Sequence, residues 1–363
     1  MTLSEKHAAE VSARFTDFRI MAMDRLVGAW YDRRPWLILL VPLSLLYGGL
    51  TWLHRWLYRM GVLARYRMSV PVIVVGNITV GGTGKTPLVM WLVDHLKATG
   101  YRPGVVARGH KGKAQRWPQP VQFDSDPGVV GDEAVLLAGR CACPVVVGPD
   151  RVDAARLLLE RNECDLIVSD DGLQHQRLER DIEIVVIDGA RRFGNGLWLP
   201  AGPLRESPRR LTGVDLVVVN GTAQFGEYSM TLHPGPMISL ERDISPRNLV
   251  DFNGESVHAV AGIGNPERFF ACLRRAGLRL QEHVFPDHHA YRAIDLDFGD
   301  DRPLVMTEKD AVKCRGFGLR NCWYIPVTIE LTAEFFDRVL DLLTNGGYKA
   351  EAEPRRKSGM GVG

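Results

Sequence analysis

The segment from Val72 to Thr86 carries the residues with the clearest chemical meaning. Its sequence, VIVVGNITVGGTGKT, joins an apolar β-branched run to a glycine-rich stretch and a Lys-Thr pair. Backbone N–H groups in such a loop turn toward phosphate oxygens, and the N-terminus of a following helix adds a positive dipole end. The lysine then pairs with the β- and γ-phosphates of a nucleotide, and the threonine hydroxyl is a typical Mg²⁺ ligand. The pattern predicts a phosphate site formed by Thr79, Val80, Gly81, Gly82, Thr83, Gly84, Lys85 and Thr86.

The segment departs at one position from the usual pattern G-x-x-x-x-G-K-[ST], because Thr79 stands where the first glycine is expected. A glycine-rich turn followed by a chance Lys-Thr pair is the alternative. The flanking sequence favours phosphate binding, since a buried-type strand precedes the loop and a helical pattern follows it. That helical pattern consists of Leu88, Trp91, Leu92 and Leu96, with Gly100 ending the helix.

A second apolar strand, residues 164–169, ends in the aspartate pair Asp170 and Asp171. In P-loop enzymes an aspartate at such a strand end holds Mg²⁺ directly or through water. Two adjacent aspartates are also common turn formers. Beside a phosphate loop we favour the metal role and predict Thr86, Asp170 and Asp171 as Mg²⁺ ligands. Gln174 and His175 follow directly and are expected to face the site.

Two other polar segments have a structural and a functional interpretation. Residues 108–113, RGHKGK, form a basic glycine loop that is either a solvated turn or an anion clamp for a phosphorylated substrate. Gly131, Asp132 and Glu133 open an apolar helical run. Acidic residues at a helix start often only complement the helix dipole. Here they are also able to present a carboxylate to the nucleotide site.

The nucleotide is predicted to be ATP. The strand at residues 214–219 ends at Asn220, and no N-K-x-D motif follows it, so the guanine-recognition motif of GTPases is absent from that position. Upstream of this strand lies the rigid, proline-rich segment 197–206, which carries Arg205 near its end.

Length and composition indicate a globular protein of about two domains. The chain has 363 residues, 45% of them hydrophobic and 24% charged, which supplies ample apolar material for a core. A net charge of +2 argues against a nucleic-acid-binding protein. The six cysteines contain no C-x-x-C pair, so reduced cytosolic thiols are expected in place of a disulfide framework or zinc site.

Residues 36–53, WLILLVPLSLLYGGLTWL, contain no charge and just reach the length of a membrane span. Pro42, Gly48 and Gly49 weaken the segment as a straight helix. Aromatic residues lie at its ends, and residues 19–70 hold eight arginines against two aspartates. A basic, aromatic, apolar stretch favours an anionic membrane surface, whereas the alternative is a buried helix of a soluble domain. Whether the segment spans the bilayer or lies in one leaflet stays open.

The C-terminal part is expected to form a separate α/β domain. Between about Gly221 and Asn253 the alternation of strands and helices lapses, and strand character resumes at residues 257–262. The last strand is predicted at residues 323–327 and the last helix at residues 333–343. The expected divisions are an extension at 1–22, a membrane-associated helical segment at 23–68, a P-loop domain at 69–222, a hinge or linker at 223–254, a C-terminal α/β domain at 255–346 and a disordered tail at 347–363.

Several motifs together resemble the tetraacyldisaccharide 4′-kinase family, the lipid A 4′-kinases of Gram-negative bacteria. They are VPVIVVGNITVGGTGKTP at 70–87, GDE at 131–133, SDDGLQH at 169–175, PAGPLRE at 200–206, FPDHHAY at 285–291 and TEKDAVK at 307–313. The resemblance covers about residues 23 to 345. In that family Thr or Ser commonly stands where Thr79 stands. Residues 1–22 depart from the family, so Met21 or Met23 is an alternative start.

The resemblance implies a fold, an activity and a location. The fold is α/β, a P-loop NTPase-type parallel sheet flanked by helices, with a smaller C-terminal α/β domain joined by a two-stranded hinge and an N-terminal membrane-associated helix. The activity is transfer of the γ-phosphate of ATP, with Mg²⁺, to the 4′-hydroxyl of a tetraacyldisaccharide 1-phosphate at the cytoplasmic face of the bacterial inner membrane. The expected partners are this glycolipid and the membrane surface, with no nucleic acid and no obligatory protein partner.

The resemblance also implies residue roles. A sugar hydroxyl is a poor nucleophile at neutral pH, so a positioned group should accept its proton. By the resemblance Asp132 is this base, with Lys85 as the other catalytic residue, and a histidine of the pair His288 and His289 supports it. His288 is preferred because it follows Asp287 directly. The predicted substrate-binding residues are Asn77, Arg108, Gln174, His175 and Arg205.

Two other classes of protein remain alternatives at this stage. One is a membrane-tethered ATPase switch of the partitioning type, whose loop carries a lysine where this chain has Val80. The other is a soluble small-molecule kinase in which the apolar N-terminal segment is only core.

Overall fold

The computed structural model describes residues 25–241 and 243–346. The expected extension at 1–22 and tail at 347–363 lie outside the described residues. The chain divides into two compact units, each assembled from separate stretches of sequence. The first unit takes in the described residues of Met1–Ala64, Asn77–Gly84 and Val185–Val327, and the second those of Arg65–Gly76, Lys85–Ile184 and Thr328–Gly363.

The described α-helices are α1 (residues 25–32), α2 (Val41–Arg59), α3 (Lys85–Ala98), α4 (Pro127–Val130), α5 (Asp132–Cys141), α6 (Arg151–Arg161), α7 (Pro266–Arg275), α8 (Glu308–Cys314) and α9 (Ala333–Asn345). The strands are β1 (Val72–Gly76), β2 (Pro103–Ala107), β3 (Gln119–Val121), β4 (Val145–Val147), β5 (Leu166–Asp170), β6 (Ile182–Asp188), β7 (Leu216–Asn220), β8 (Tyr228–Pro234), β9 (Ile238–Ser239), β10 (Ser256–Ala261), β11 (Arg279–Val284), β12 (Leu304–Thr307), β13 (Cys322–Ile325) and β14 (Val327–Leu331). Short 3₁₀ turns cover Pro35–Leu40, Pro208–Gly213, Leu249–Phe252 and Ala293–Leu296.

In the second unit, five strands lie side by side in the order β1-β5-β2-β4-β3. All neighbouring pairs are parallel except β3 with β4. The apolar β-branched runs of β1 and β5 are fully buried, as expected for central parallel strands. Val75 of β1 is paired with Asp170 of β5. The register therefore brings the first aspartate of the pair to the sheet edge from which the glycine-rich loop leaves β1.

The first unit contains a five-stranded sheet in the order β11-β10-β12-β13-β9. Its pairs are parallel except that of β13 with β9. Its core contains Phe252, Phe270, Leu273, Val305 and Trp323, each at most 5% exposed. The same unit contains most of β6, together with β7 and β8. The expected fold class, a largely parallel α/β sheet with an apolar N-terminal helix, is confirmed.

The apolar N-terminal segment forms one continuous helical stretch, Pro35–Arg59, long and apolar enough to cross a membrane. Only 17% of the most apolar 18-residue part of this stretch is buried within the protein. The large apolar side chains that it exposes are Trp36, Ile38, Leu39, Leu43, Leu45, Leu46, Leu50, Trp52, Leu53, Trp56 and Met60. The alternative of a buried core helix is therefore wrong.

One element prediction needs correction. The strand expected to be the last, at residues 323–327, ends at Ile325, and β14 follows it after Pro326, whose missing N–H removes a ladder donor. The stretch between Gly221 and Asn253, where the alternation of strands and helices was expected to lapse, contains the strands β8 and β9 and a 3₁₀ turn but no α-helix among its described residues. β8 is largely half-exposed and polar, and β9 is two residues long, so neither has the apolar run of a buried strand. The positions of the domain boundaries stay a prediction.

Candidate active site

The glycine-rich loop after β1 is braced by the segment 203–205 of the same unit. The backbone N–H of Val80 donates to the Pro203 carbonyl at 2.8 Å, and that of Arg205 donates to the Ile78 carbonyl at 2.8 Å. The Arg205 guanidinium also donates to Oδ1 of Asn77 at 3.2 Å. Asn77 and Arg205, both predicted to bind substrate, therefore contact each other.

The loop backbone has the shape of an anion cradle. Gly81 and Gly84 have φ angles of +111° and +99°, which side-chain-bearing residues rarely adopt. A Cβ atom at Gly81 or Gly82 would meet no atom within 4 Å, so the loop faces open space there. The buried Thr83 hydroxyl has no hydrogen-bond partner within the described residues. These features fit a bound phosphate group, as the sequence predicts.

Asn220, at the end of β7, supports this loop, and the sequence analysis assigned it no role. Its side-chain amide donates to the Thr83 carbonyl at 3.2 Å, and its Oδ1 accepts from the Arg268 guanidinium at 3.2 Å. Glycine is favoured at Gly84 by its φ of +99°, and a Cβ atom there would also lie 2.8 Å from Cε of Met230, so that side chain would have to move. The sequence feature that could have identified Asn220 is its position as a polar residue at the carboxyl end of a buried strand.

Directly after the loop, α3 begins with Lys85 and Thr86 in the second unit. The Thr86 hydroxyl donates to Oδ2 of Asp170 at 3.0 Å. Nζ of Lys85 lies 3.6 Å from Oδ1 of Asp171. The pairing of β1 with β5 thus brings together the four side chains predicted to bind phosphate and metal.

The Asp170 carboxyl is suited to receive a cation. Burial, with the neighbouring Glu133 carboxylate, raises the pKa of Asp170 to about 7 against the opposing effect of the Lys85 ammonium. Its Oδ1 has no hydrogen-bond partner within the described residues. Among residues 25–241 and 243–346, no group of three or more His, Cys, Asp or Glu side chains is placed to hold a metal ion. Mg²⁺ in nucleotide sites needs only one or two carboxylates beside the phosphates, so these residues fit it.

The start of α5 packs against the basic glycine loop in the second unit. A Cβ atom at Gly131 would lie 2.7 Å from the His110 carbonyl oxygen, and the φ of Gly131 is +94°. Only glycine fits before Asp132, whose Oδ1 accepts the Glu133 N–H at 2.9 Å. Asp132 is 5% exposed. The structure therefore brings the predicted base next to the segment predicted to clamp an anion.

His175 lies among cationic groups of the second unit. Burial, together with the positive charges of Arg151 and Arg180, lowers the pKa of His175 to about 4, and Arg108 acts in the same direction. The imidazole is therefore neutral at physiological pH. The Arg151 guanidinium, 2% exposed, also donates to the Asp171 backbone carbonyl at 3.4 Å. Positive charge thus accumulates beside the aspartate pair, which suits an anionic ligand.

His288 lies in the first unit, in a small cluster of ionisable groups. Its Nε2 is 3.3 Å from Nζ of Lys309 and 3.6 Å from a carboxylate oxygen of Asp287. The Lys309 ammonium also donates to Asp287 at 3.2 Å. The backbone of His288 has φ +61°, an uncommon conformation that concentrates at functional sites. Lys309 lies in the motif TEKDAVK but received no role from the sequence.

His289 has a packing role in the same loop. Its ring contacts those of Phe285 and Tyr291, each with centroids 4.9 Å away, and Nε2 lies 3.7 Å from Asp295. This environment supports the preference for His288 as the functional histidine. Asp132 and His288 belong to different compact units, and their pairing stays a prediction.

Comparison with known proteins gives a consistent result. A family model described as tetraacyldisaccharide-1-P 4′-kinase matches residues 36–344. The tetraacyldisaccharide 4′-kinase of Alkalilimnicola ehrlichii is 55% identical over 308 residues, covering 84% of this chain and 92% of that protein. The enzyme of the same name from Nitrosococcus oceani is 51% identical over 320 residues, covering 88% of this chain and 94% of that protein.

A solved structure agrees in fold. The crystal structure of LpxK from Aquifex aeolicus in complex with ATP matches with a TM-score of 0.73 at 27% identity, covering 84% of this chain and 99% of that one. The family predicted from the motifs is therefore confirmed: this chain belongs to the tetraacyldisaccharide 4′-kinase family.

Proposed function

We propose that this protein is an ATP-dependent kinase that phosphorylates the 4′-hydroxyl of a tetraacyldisaccharide 1-phosphate, giving lipid IVA in lipid A biosynthesis. The observation that carries the proposal is the hydrogen bond from Thr86 to the buried Asp170, directly after the glycine loop and Lys85. This arrangement is typical of phosphoryl transfer, and the family supplies the acceptor.

Lys85 and the loop backbone act on the transferred phosphate. Nζ of Lys85 lies 3.6 Å from Oδ1 of Asp171, and its positive charge would pair with the phosphate oxygens of a bound nucleotide. Thr86 and Asp170 would hold Mg²⁺, and Asp171 would be a further ligand directly or through water. The ion supplies charge neutralisation of the phosphates. The cations around His175 add positive charge for an anionic ligand.

Asp132 accepts the proton of the sugar hydroxyl. It is buried at the start of α5, where its carboxylate orientation is fixed by the Glu133 N–H. His288 supports Asp132 as the second member of the catalytic pair, as the family resemblance implies. Lys309 and Asp287 hold the His288 ring in place through contacts of 3.3 and 3.6 Å.

The acceptor is a lipid, so the kinase must work at a membrane surface. The exposed apolar side chains of α2 suit insertion into the cytoplasmic leaflet of the inner membrane. Each fully buried leucine side chain contributes about 1.5–3 kcal/mol, so several of them are sufficient for stable association. The excess of arginines in residues 19–70 adds attraction to anionic lipids.

The test is ATP consumption by the full-length protein in mixed micelles, with and without a tetraacylated disaccharide 1-phosphate. We expect consumption only with the acceptor, and one phosphate transferred per ATP used. Acceptor-independent hydrolysis at the same rate would contradict the kinase assignment. A matched acceptor lacking the 4′-hydroxyl should be inert, which separates 4′-transfer from phosphorylation elsewhere.

A further inference from the structure

Helix α2 has two faces of unlike chemistry. Ser44, Gly48 and Arg55 are spaced four and seven residues apart, which places them along one side of the helix. Ser44 and Gly48 are buried within the protein, whereas the large apolar side chains of the helix are exposed. The face turned toward the protein is thus small and polar, and the face turned away from it is apolar.

The small and polar face contacts the segment 198–206. The Ser44 hydroxyl donates to the Trp198 carbonyl, and a Cβ atom at position 48 would collide with the Trp198 indole. At the other end of the helix, the Arg55 guanidinium donates to Oε2 of Glu206 at 2.7 Å. The N-terminal region adds a further tie, because the Trp30 indole N–H donates to the Pro200 carbonyl at 3.0 Å.

Glu206 is the central residue of a buried charge cluster. Its side chain is 2% exposed and lies between Arg55 and Arg210, with N–O distances of 2.7 and 3.6 Å. A buried carboxylate is costly unless it is paired, so its partners determine where this part of the chain can lie. If Arg55 is lost, Arg210 still compensates the charge, but the contact with α2 is gone.

The same segment braces the phosphate loop. Residue 206 follows Arg205, whose backbone N–H and guanidinium contact Ile78 and Asn77, and Pro203 accepts from the Val80 N–H. All these residues belong to one compact unit. Segment 198–206 therefore contacts α2 on one side and the phosphate loop on the other.

We propose that Arg55 and Glu206 are positioning residues that transmit the seating of α2 in the membrane to the nucleotide site. With α2 held by its apolar face, the ion pair fixes segment 198–206, and this segment keeps residues 77–84 in the shape that binds phosphate. The inference deepens the proposed function: the enzyme binds ATP best when its helix is seated where the lipid acceptor is. This inference rests on the proposed function in one respect, the identity of the nucleotide as ATP.

The test compares Arg55→Met with Arg59→Met in the full-length protein. Arg59 lies on the same helix one turn later and is exposed, so both variants lose one positive charge from α2. The measurements are Mg²⁺-ATP affinity without acceptor, by calorimetry in micelles, and the KM and kcat for ATP. Small displacements of binding groups cost up to about a hundredfold, so we expect Arg55→Met to weaken ATP binding about tenfold or more. Arg59→Met should bind ATP as the parent protein does.

Further variants separate positioning from simple stability. Glu206→Gln keeps the side-chain shape, and its loss of ATP affinity should not add to that of Arg55→Met in the double variant, because the two residues act as a pair. Arg55→Lys should restore part of the affinity, and it replaces Arg55→Met in the comparison if that variant does not fold.

The proposal would be overturned by unchanged ATP affinity in folded Arg55→Met. It would also be overturned by equal losses of ATP affinity in the Arg55 and Arg59 variants, or by additive losses of ATP affinity in the double variant of Arg55 and Glu206. A fall in melting temperature with normal ATP affinity would likewise make the pair structural only. Because ATP affinity is measured without acceptor, a wrong acceptor assignment shows in the kinase assay alone and leaves this comparison intact.

Discussion

Replacement of Asp170 by Asn should stabilise the metal-free protein in a strongly pH-dependent way. Asn keeps the acceptor oxygen for the Thr86 hydroxyl but cannot ionise. In the folded protein burial raises the pKa of Asp170 from 3.8 to about 7. The favourable protonated form is therefore fully present below pH 3.8, and the stability it gives is lost as the pH rises through 7.

The magnitude follows from the size of this shift. One pKa unit corresponds to about 1.36 kcal/mol, so above pH 8 the ionised Asp170 costs the folded state about 4 kcal/mol. At pH 5 the same linkage gives about 2 kcal/mol. The advantage of Asp170→Asn should thus grow by about 2 to 3 kcal/mol between pH 5 and pH 8.5. For a chain of this size that is roughly 5 °C in melting temperature.

The assay is thermal unfolding of both proteins in detergent and chelator across this pH range. Asp153→Asn is the matched control, because it removes one carboxylate from a half-exposed position on α6. Added Mg²⁺ with ATP should raise the melting temperature of the parent protein at pH 8.5 more than that of Asp170→Asn. An equal gain at pH 5 and pH 8.5, or a loss of stability at pH 8.5, would refute the reasoning.

Three further predictions concern activity and membrane binding. Lys85→Ala should lower kcat by orders of magnitude with an unchanged circular-dichroism spectrum, and near-normal kcat would contradict its role. Asp132→Asn and His288→Ala should each lower kcat by about 10² to 10⁴, with little change in the KM for ATP, since general-base catalysis contributes on that scale. Their double variant should be little worse than the worse single one, and fully additive losses would exclude a dyad. Leu46→Ser with Leu50→Ser should reduce flotation with anionic liposomes while leaving the circular-dichroism spectrum unchanged, whereas unchanged flotation would place the membrane contact elsewhere.

The sequence was sufficient to predict that Lys85-Thr86 and the aspartate pair lie together, because the segments that carry them are specified by short stretches of chain. A β-branched run, a glycine loop and Lys85-Thr86 determine a strand, a turn and a helix start within fifteen residues. The aspartate pair is also specified locally, because it directly follows the apolar run of β5. Parallel pairing of β1 with β5 then places the carboxyl ends of these two strands side by side.

The sequence was less informative about strands at sheet edges. β11, with the sequence RLQEHV, is the outer strand of the five-stranded sheet, and most of its side chains are exposed. Its polar composition follows from that position, so it lacks the apolar run that marked β1 and β5. Alternation of buried and exposed residues is weak evidence when only one face of a short strand is covered.

Only the tertiary structure decided which distant residues support the site. Arg55 contacts Glu206 across 151 positions, Asn220 contacts Thr83 across 137, and Lys309 contacts His288 across 21. Hydrophobic periodicity and turn residues specify local conformation, but they carry no information on which loop packs against which. That choice is made when burial forces each charged or polar group to find a partner, as Glu206 does between Arg55 and Arg210.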